Sequence, residues 1–323
     1  MIIEEEVLVA DIIKEVRSNP YVIDKINISK TYDKLGGSVA LPKTHWKDGV
    51  NPSLKLGDDC TAIPDGYGGY TLFAAEGMID SFLTMDPWFA GYSAIMVNIS
   101  DILAMGGIPT AVTDVIWGKD EADIDEIWEG MKVASHAYDV PIVGGHTCYN
   151  SESKALAVSI IGTAQKLLTS FDAIPDQRVL MAVDMTGHYY KDYPFWNAST
   201  TANREALLNK KRIMSVIANQ ELATAAKDIS MGGLLGTLSM VAHTSKVGFE
   251  IHFQQMIKAP DEDSVKWLTA FPSFGYVLTC HAENVDQIIN IFEKEQVVCQ
   301  DIGKVISDRG IYIQSIENLI KFN

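Results

Sequence analysis

Asn98-Ile99-Ser100-Asp101-Ile102-Leu103-Ala104-Met105-Gly106-Gly107 closes a run, from Pro87 onward, that is apolar on nearly every face. Such a run reads as a buried helix, stopped by the glycine pair as glycine commonly stops one. Asn98 and Asp101 stand three apart and share one face of it. A carboxylate in that setting is costly unless it is paired or binds a metal. Two readings stay open for Asp101: an arginine or backbone amides satisfy it, or it holds a cation. The run is apolar enough to raise a membrane span. Asn98, Asp101 and the Gly-Gly-Ile-Pro that follows favour a buried core helix instead.

Outward from this helix, other acids sit in similar company. Leu54-Lys55-Leu56-Gly57-Asp58-Asp59-Cys60 sets adjacent carboxylates after a glycine, between strand-like segments. Gly and Asp are ordinary turn residues. They also suit magnesium, which takes one or two carboxylates plus phosphate oxygens and waters. Side chains alternate along a strand, so one of Asp58 and Asp59 can bind metal while the other caps a turn or reaches a second ion. Glu76 ends the apolar strand around Ala74-Ala75. Val140-Pro141-Ile142-Val143-Gly144-Gly145-His146-Thr147 reads as a buried strand ending in Gly-Gly, where glycines let a ligand approach the backbone. Lys227-Asp228-Ile229-Ser230-Met231-Gly232-Gly233-Leu234 puts an acid before a helix start, whose free amides suit phosphate. Singly, each has a plainer reading: a turn, or at His146 a hydrogen-bonded structural histidine. Jointly, in this order, they do not.

In that order the motifs resemble the aminoimidazole ribonucleotide (AIR) synthase superfamily, over nearly the whole chain. It includes thiamine-monophosphate kinase, selenophosphate synthetase, the hydrogenase-maturation carbamoyl dehydratase and formylglycinamide ribonucleotide synthetase. The Asn98 to Pro109 block is the most specific part. The resemblance implies a two-domain α+β subunit built of α/β layers, dimerising through its N-terminal half, and binding ATP with magnesium. It implies Asp58, Asp59, Glu76, Asp101 and Asp228 as metal ligands. It implies Asn98, Gly144, Gly145, Thr147, Gly232 and Gly233 at the nucleotide. His146 and Asp101 become the catalytic candidates, His146 because its unperturbed pKa lies near neutrality. The chain departs from characterised members. Glu76 stands where the thiamine-monophosphate kinases have Asp, and Met231 where they have a second Asp. His146 stands where AIR synthase has Glu. No Cys precedes Cys60, which argues against selenide chemistry. The chain looks most like the AIR-synthase-related branch.

Composition agrees with this reading. The chain of 323 residues is 47% hydrophobic and 21% charged, which suits two globular domains. A net charge of −16 argues against nucleic acid as a partner. An anionic nucleotide would then need metal ions or local cations. Cys60, Cys148, Cys280 and Cys299 lack zinc or disulfide spacing and fit a reducing cytoplasm. Free cysteine usually packs as a small hydrophobe. The acidic start Met1-Ile2-Ile3-Glu4 does not read as a signal peptide.

Two domains are expected, 1–166 and 167–323. Residues 70–75, 110–117, 141–143 and 155–163 read as strands, with helices at 88–105 and 121–138, in β-α-β-β-α-β-like alternation. In the second half, 203–217, 220–226 and 284–295 read as helices, and 179–184, 247–253, 274–281 and 297–306 as strands. Residues 187–201 read as a long aromatic loop that either binds a ligand or packs locally. Lys25, Lys30, Lys34 and Lys43 are candidate phosphate partners or plain surface lysines. The expected activity is ATP- and magnesium-dependent phosphoryl transfer to a small-molecule acceptor. That chemistry is mostly positioning and charge neutralisation. The alternative is a nucleotide-binding scaffold without turnover. A homodimer, with no nucleic-acid or membrane partner, is expected.

Overall fold

The computed structural model describes residues 2–28, 30–41, 53–259 and 263–323. Its centre is α4 (Pro87–Ala104), the predicted buried helix. The Asp86 carboxylate accepts from Phe89 N at 3.5 Å, Pro87 supplies the first turn, and Gly106 leaves the helix at φ 73°. Proline there forfeits no hydrogen bond, since the first amides of a helix are unsatisfied anyway. Ser93, Asn98, Ser100 and Asp101 are buried with the apolar residues. No helix among the described residues is long and apolar enough to cross a membrane.

The first half begins with α1 (Ile2–Ser18), α2 (Pro20–Ile28), β1 (Ser38–Ala40) and β2 (Ser53–Lys55). Then come β3 (Thr61–Pro64), β4 (Tyr70–Gly77), α3 (Asp80–Met85), α4, β5 (Ile108–Trp117), α5 (Glu121–Tyr138), β6 (Ile142–Cys148) and β7 (Ala155–Ala164). Strands β3–β7 form one sheet in the order β3-β4-β7-β5-β6. Its inner face, with Leu72, Val112, Val158 and Ile160, packs on α4 and α5. The element order is β-α-β-α-β-β rather than β-α-β-β-α-β, because β6 and β7 follow each other directly.

The second half holds β8 (Arg178–Val183), β9 (His188–Tyr189), β10 (Phe195–Asn197), α6 (Arg204–Lys210), α7 (Ile213–Asn219), β11 (Ala225–Asp228), α8 (Gly233–Ser245) and β12 (Gly248–His252). After these come α9 (Ser264–Thr269), β13 (Phe271–Pro272), β14 (Gly275–Cys280), α10 (Val285–Lys294), β15 (Val298–Ile306), β16 (Ile311–Gln314) and β17 (Leu319–Lys321). A seven-stranded sheet runs β11-β14-β8-β15-β12-β16-β17. Helices α1 and α2 pack through Val9, Ile13, Val16 and Val22 into this second half's core, although they belong to the expected 1–166 unit.

Three local expectations change. The expected helix over 203–217 breaks into α6 and α7. The expected helix over 220–226 is absent. Glu221 adopts φ 54°, and Ala225–Asp228 pairs antiparallel with β14, so tertiary pairing overrides the helix propensity of the alanines. The third is β6, expected to be a buried strand ending at Gly-Gly. It continues to Cys148 at the edge of its sheet and is mostly exposed. Val140 supplies the buried apolar residue, while Val143 is 64% exposed.

Helices α4 and α5 touch backbone to backbone. A Cβ at Gly91 would lie 2.0 Å from Ile127 O, and one at Gly130 would lie 1.9 Å from Trp88 O. Gly130→Ala is therefore expected to cost about 2–3 kcal/mol, the upper part of the overpacking range, since backbone cannot rotate away. An unchanged urea midpoint would refute this packing.

Candidate functional site

Four segments deliver one carboxylate each. The bend after Gly57 carries Asp59, β4 carries Glu76, α4 carries Asp101, and β11 carries Asp228. One oxygen from each of Asp59, Asp101 and Asp228 lies within 4.8 Å of the others. Asp59 Oδ2 and Asp101 Oδ2 are buried and without a hydrogen-bond partner among the described residues. Among the described residues, neither an arginine nor a backbone amide satisfies that Asp101 oxygen. Asp58 is turned away. Its Oδ1 accepts from Asp59 N at 3.0 Å and its Oδ2 from Ser170 N at 2.8 Å. The adjacent acids thus divide their work, one towards the cluster and one holding the bend.

Burial raises the Asp101 carboxyl well above the usual range, and the charges of Asp228, Glu76 and Asp59 add to it. Burial also raises Asp59 well above that range, against Lys227 and with Asp228 and Asp58. Glu76 is raised by burial and opposed by Lys25. Desolvation and like charge both disfavour ionisation, so a cation among these oxygens would relieve both. The donors are hard carboxylate oxygens on separate elements, with two of them unpartnered, and this fits magnesium.

Lys227 is the residue sequence reasoning passed over. It lies 4% exposed on β11, hydrogen-bonded to Asp59 and 3.6 Å from Asp228 Oδ1. Its signal was a lysine flanked by Ala225, Ala226 and Ile229. Beside the carboxylates opens a cavity of about 340 Å³, lined by Glu76, Asp101, Asp228 and Lys25. Aromatic residues wall it. Tyr193, Phe195 and Trp196 come from the expected loop over 187–201, which contains β9 and β10, and Phe82 and Phe89 from α3 and α4. The loop also packs locally, with Tyr190 stacked on Phe89 at 3.6 Å and Phe195 5.3 Å from Phe82. The local-packing reading therefore holds, and the same segment lines the cavity.

The other candidates fall elsewhere. Asn98 donates to Ala94 O at 2.8 Å and leaves Oδ1 unpartnered. Gly232 and Gly233, at φ 93° and 61°, let α8 approach its neighbours. A Cβ at Gly233 would lie 2.1 Å from Leu268 O, and one at Gly232 3.1 Å from Tyr21 O. Gly144, Gly145 and Thr147 line a second, open cleft of about 870 Å³ with Asp114, whose buried carboxylate oxygens find no partner among the described residues. His146 is exposed on the outer sheet face, in register with Val115. Glu76 is in register with buried Val158 and so shares the inner face. Of the candidate lysines, Lys25 reaches the cavity, Lys30 and Lys34 are exposed, and Lys43 lies outside the described residues.

Residues 57–164 match the AIR synthase related protein N-terminal domain, and residues 179–316 its C-terminal domain. The chain belongs to the AIR synthase related family. An uncharacterised protein of Synechocystis sp. is 41% identical over 258 residues, 80% of each chain. A thiamine-monophosphate kinase of Pyrococcus abyssi is 27% identical, over 71% of this chain and 75% of that one. Among solved structures, T. maritima PurL complexed with ATP superposes with a TM-score of 0.71 at 19% identity, over 90% of this chain and 47% of that one. The chain thus spans about half of that longer protein, and the likeness shows the fold.

Proposed function

We propose that this AIR synthase related chain is an ATP- and magnesium-dependent phosphoryl-transfer enzyme acting on a small-molecule acceptor. The observation that carries the reading is the convergence of Asp59, Asp101 and Asp228, with two buried oxygens unpartnered among the described residues, where Asp101 and Asp228 line a cavity. The ATP in the PurL structure and the kinase among the relatives support it. Asp59, Asp101 and Asp228 would hold magnesium, with Glu76 as a further ligand. When bound, the metal supplies neutralisation of phosphate charge. Lys25 would pair with a phosphate oxygen at the cavity mouth. The aromatic walls would hold a ring of the nucleotide or acceptor and exclude water. Asp101→Asn and Asp228→Asn are expected to weaken Mg-ATP binding roughly 10- to 100-fold, the loss seen even for outer groups of a metal site. Titration calorimetry on folded variants measures this, and unchanged affinity in both would overturn the reading. Met231, which lines the cavity where a carboxylate would serve as a ligand, favours a second reading. In it the protein binds nucleotide as a scaffold without efficient turnover.

The same reading includes a cytoplasmic homodimer formed through the N-terminal sheet. Phe73 and Ile161 are cross-strand partners on its outer face, 47% and 43% exposed, with Ile108 at 40%. An apolar sheet face of this kind usually marks an interaction surface, and a two-fold dimer is the commonest solution. Ile161→Asp is expected to shift the protein from dimer to monomer in sedimentation velocity at micromolar concentration. A wild-type monomer would refute the assembly.

A further inference from the structure

The carboxylate cluster already contains a cation. Lys227 Nζ is hydrogen-bonded to Asp59 Oδ1 and stands 3.6 Å from Asp228 Oδ1. The Lys227 side chain is 5% exposed, and those of Asp59 and Asp228 are 3% and 9%. The ammonium therefore lies between two of the three acids whose oxygens converge. The unpartnered oxygens, Asp59 Oδ2 and Asp101 Oδ2, belong to the remaining side of the cluster. Each carboxylate offers two oxygens, so Asp59 can satisfy Lys227 with one and leave the other for a second cation. A buried ammonium is not retained without such partners, because removing a charge from water is costly.

From this geometry we infer that Lys227 is a built-in cation occupying one position of a two-cation carboxylate cluster, so that the chain takes a single divalent ion there, on the Asp59–Asp101–Asp228 side. The inference rests on the metal-dependent reading and adds to it a specificity device. Lys227 fixes the metal count and holds Asp59 in place, and its charge repels a second divalent ion. A methionine side chain is one atom shorter than lysine and carries no charge. Lys227→Met therefore vacates the ammonium position while leaving the stem.

The test is Mn2+ binding to the full chain, read from the free-Mn2+ electron paramagnetic resonance signal, with and without ATP. Wild type is expected to hold about one tight Mn2+ per chain, and Lys227→Met about two. The first ion should also bind roughly tenfold or more tightly in the variant, since a neighbouring positive charge is gone. Should Lys227→Met fold only when Mn2+ is supplied, as followed by circular dichroism, the divalent ion is taking the place of the ammonium, which supports the inference. Equal stoichiometry and affinity in both proteins would overturn it and leave the metal-dependent enzyme standing. Two tight ions in wild type would do the same. A variant that stays unfolded at every Mn2+ concentration would also overturn it, because a metal ion then cannot replace the lysine. Absence of any Mn2+ binding, in either protein and with or without ATP, would remove both this inference and the reading on which it rests.

Discussion

Lys210→Met is expected to cost the fold about 3–5 kcal/mol, the usual penalty for leaving one member of a buried ion pair alone. Lys210, the last residue of α6, is hydrogen-bonded to Asp184 just beyond β8, and their side chains are 6% and 1% exposed. The other Asp184 oxygen accepts from Thr186 N at 3.1 Å and Thr186 Oγ1 at 2.6 Å. Those bonds would remain, but among the described residues no paired cation would. The Asp184 carbonyl also receives the Trp196 indole N–H at 3.0 Å, so the pair anchors the start of the aromatic segment that walls the cavity. Urea unfolding measures the cost. Lys210→Met/Asp184→Asn should recover much of it, because no uncompensated charge stays buried. Lys132→Met provides the contrast. Its pair with Glu129 is 58% exposed on both sides, and exposed pairs contribute at most about 1 kcal/mol. Equal losses in the two single variants would mean that burial does not set the cost here.

This pair marks a boundary in what the sequence makes legible. Local chemistry was readable. The apolar run from Pro87 forms α4 and stops at its glycine pair as expected, while the lone Asp101 in it left a paired and a metal-holding reading open. Asp58 and Asp59 diverge as expected, though in a bend rather than on a strand, and which of them would face the cluster was not legible. That was decided by Ser170, whose amide captures Asp58 from far along the chain. Lys227 and Asp59 are 168 positions apart, and no periodicity within either segment pairs them. The exposure of β6 was hidden for a similar reason. Its apolar residues resemble those of a central strand, and only the sheet order, with β6 at the edge beside β5, shows that one side goes uncovered.

His146→Gln is expected to keep nucleotide affinity and lose roughly 10²–10⁴-fold of acceptor-stimulated turnover, the span of a general acid–base contribution. An amide keeps the size and hydrogen bonds of the ring but cannot accept and return a proton. The structure adds a condition. In one chain His146 and Glu76 stand on opposite faces of the same sheet, so a catalytic role for His146 at the carboxylates would have to come from a second copy whose outer face reaches them. Mixing His146→Gln with Asp101→Asn tests this directly. A mixed dimer holds one site with both residues intact, and random mixing should restore about a quarter of the wild-type rate. The rate to follow is ADP release stimulated by a metabolite extract. Basal hydrolysis is insufficient, because water can replace a missing acceptor. Equal stimulated rates in wild type and His146→Gln would remove His146 from catalysis. Loss of turnover without recovery on mixing would keep the residue and sink its action across the dimer. No stimulation of the wild type across a broad range of metabolites would favour the scaffold, in which His146 is simply an exposed residue on an edge strand.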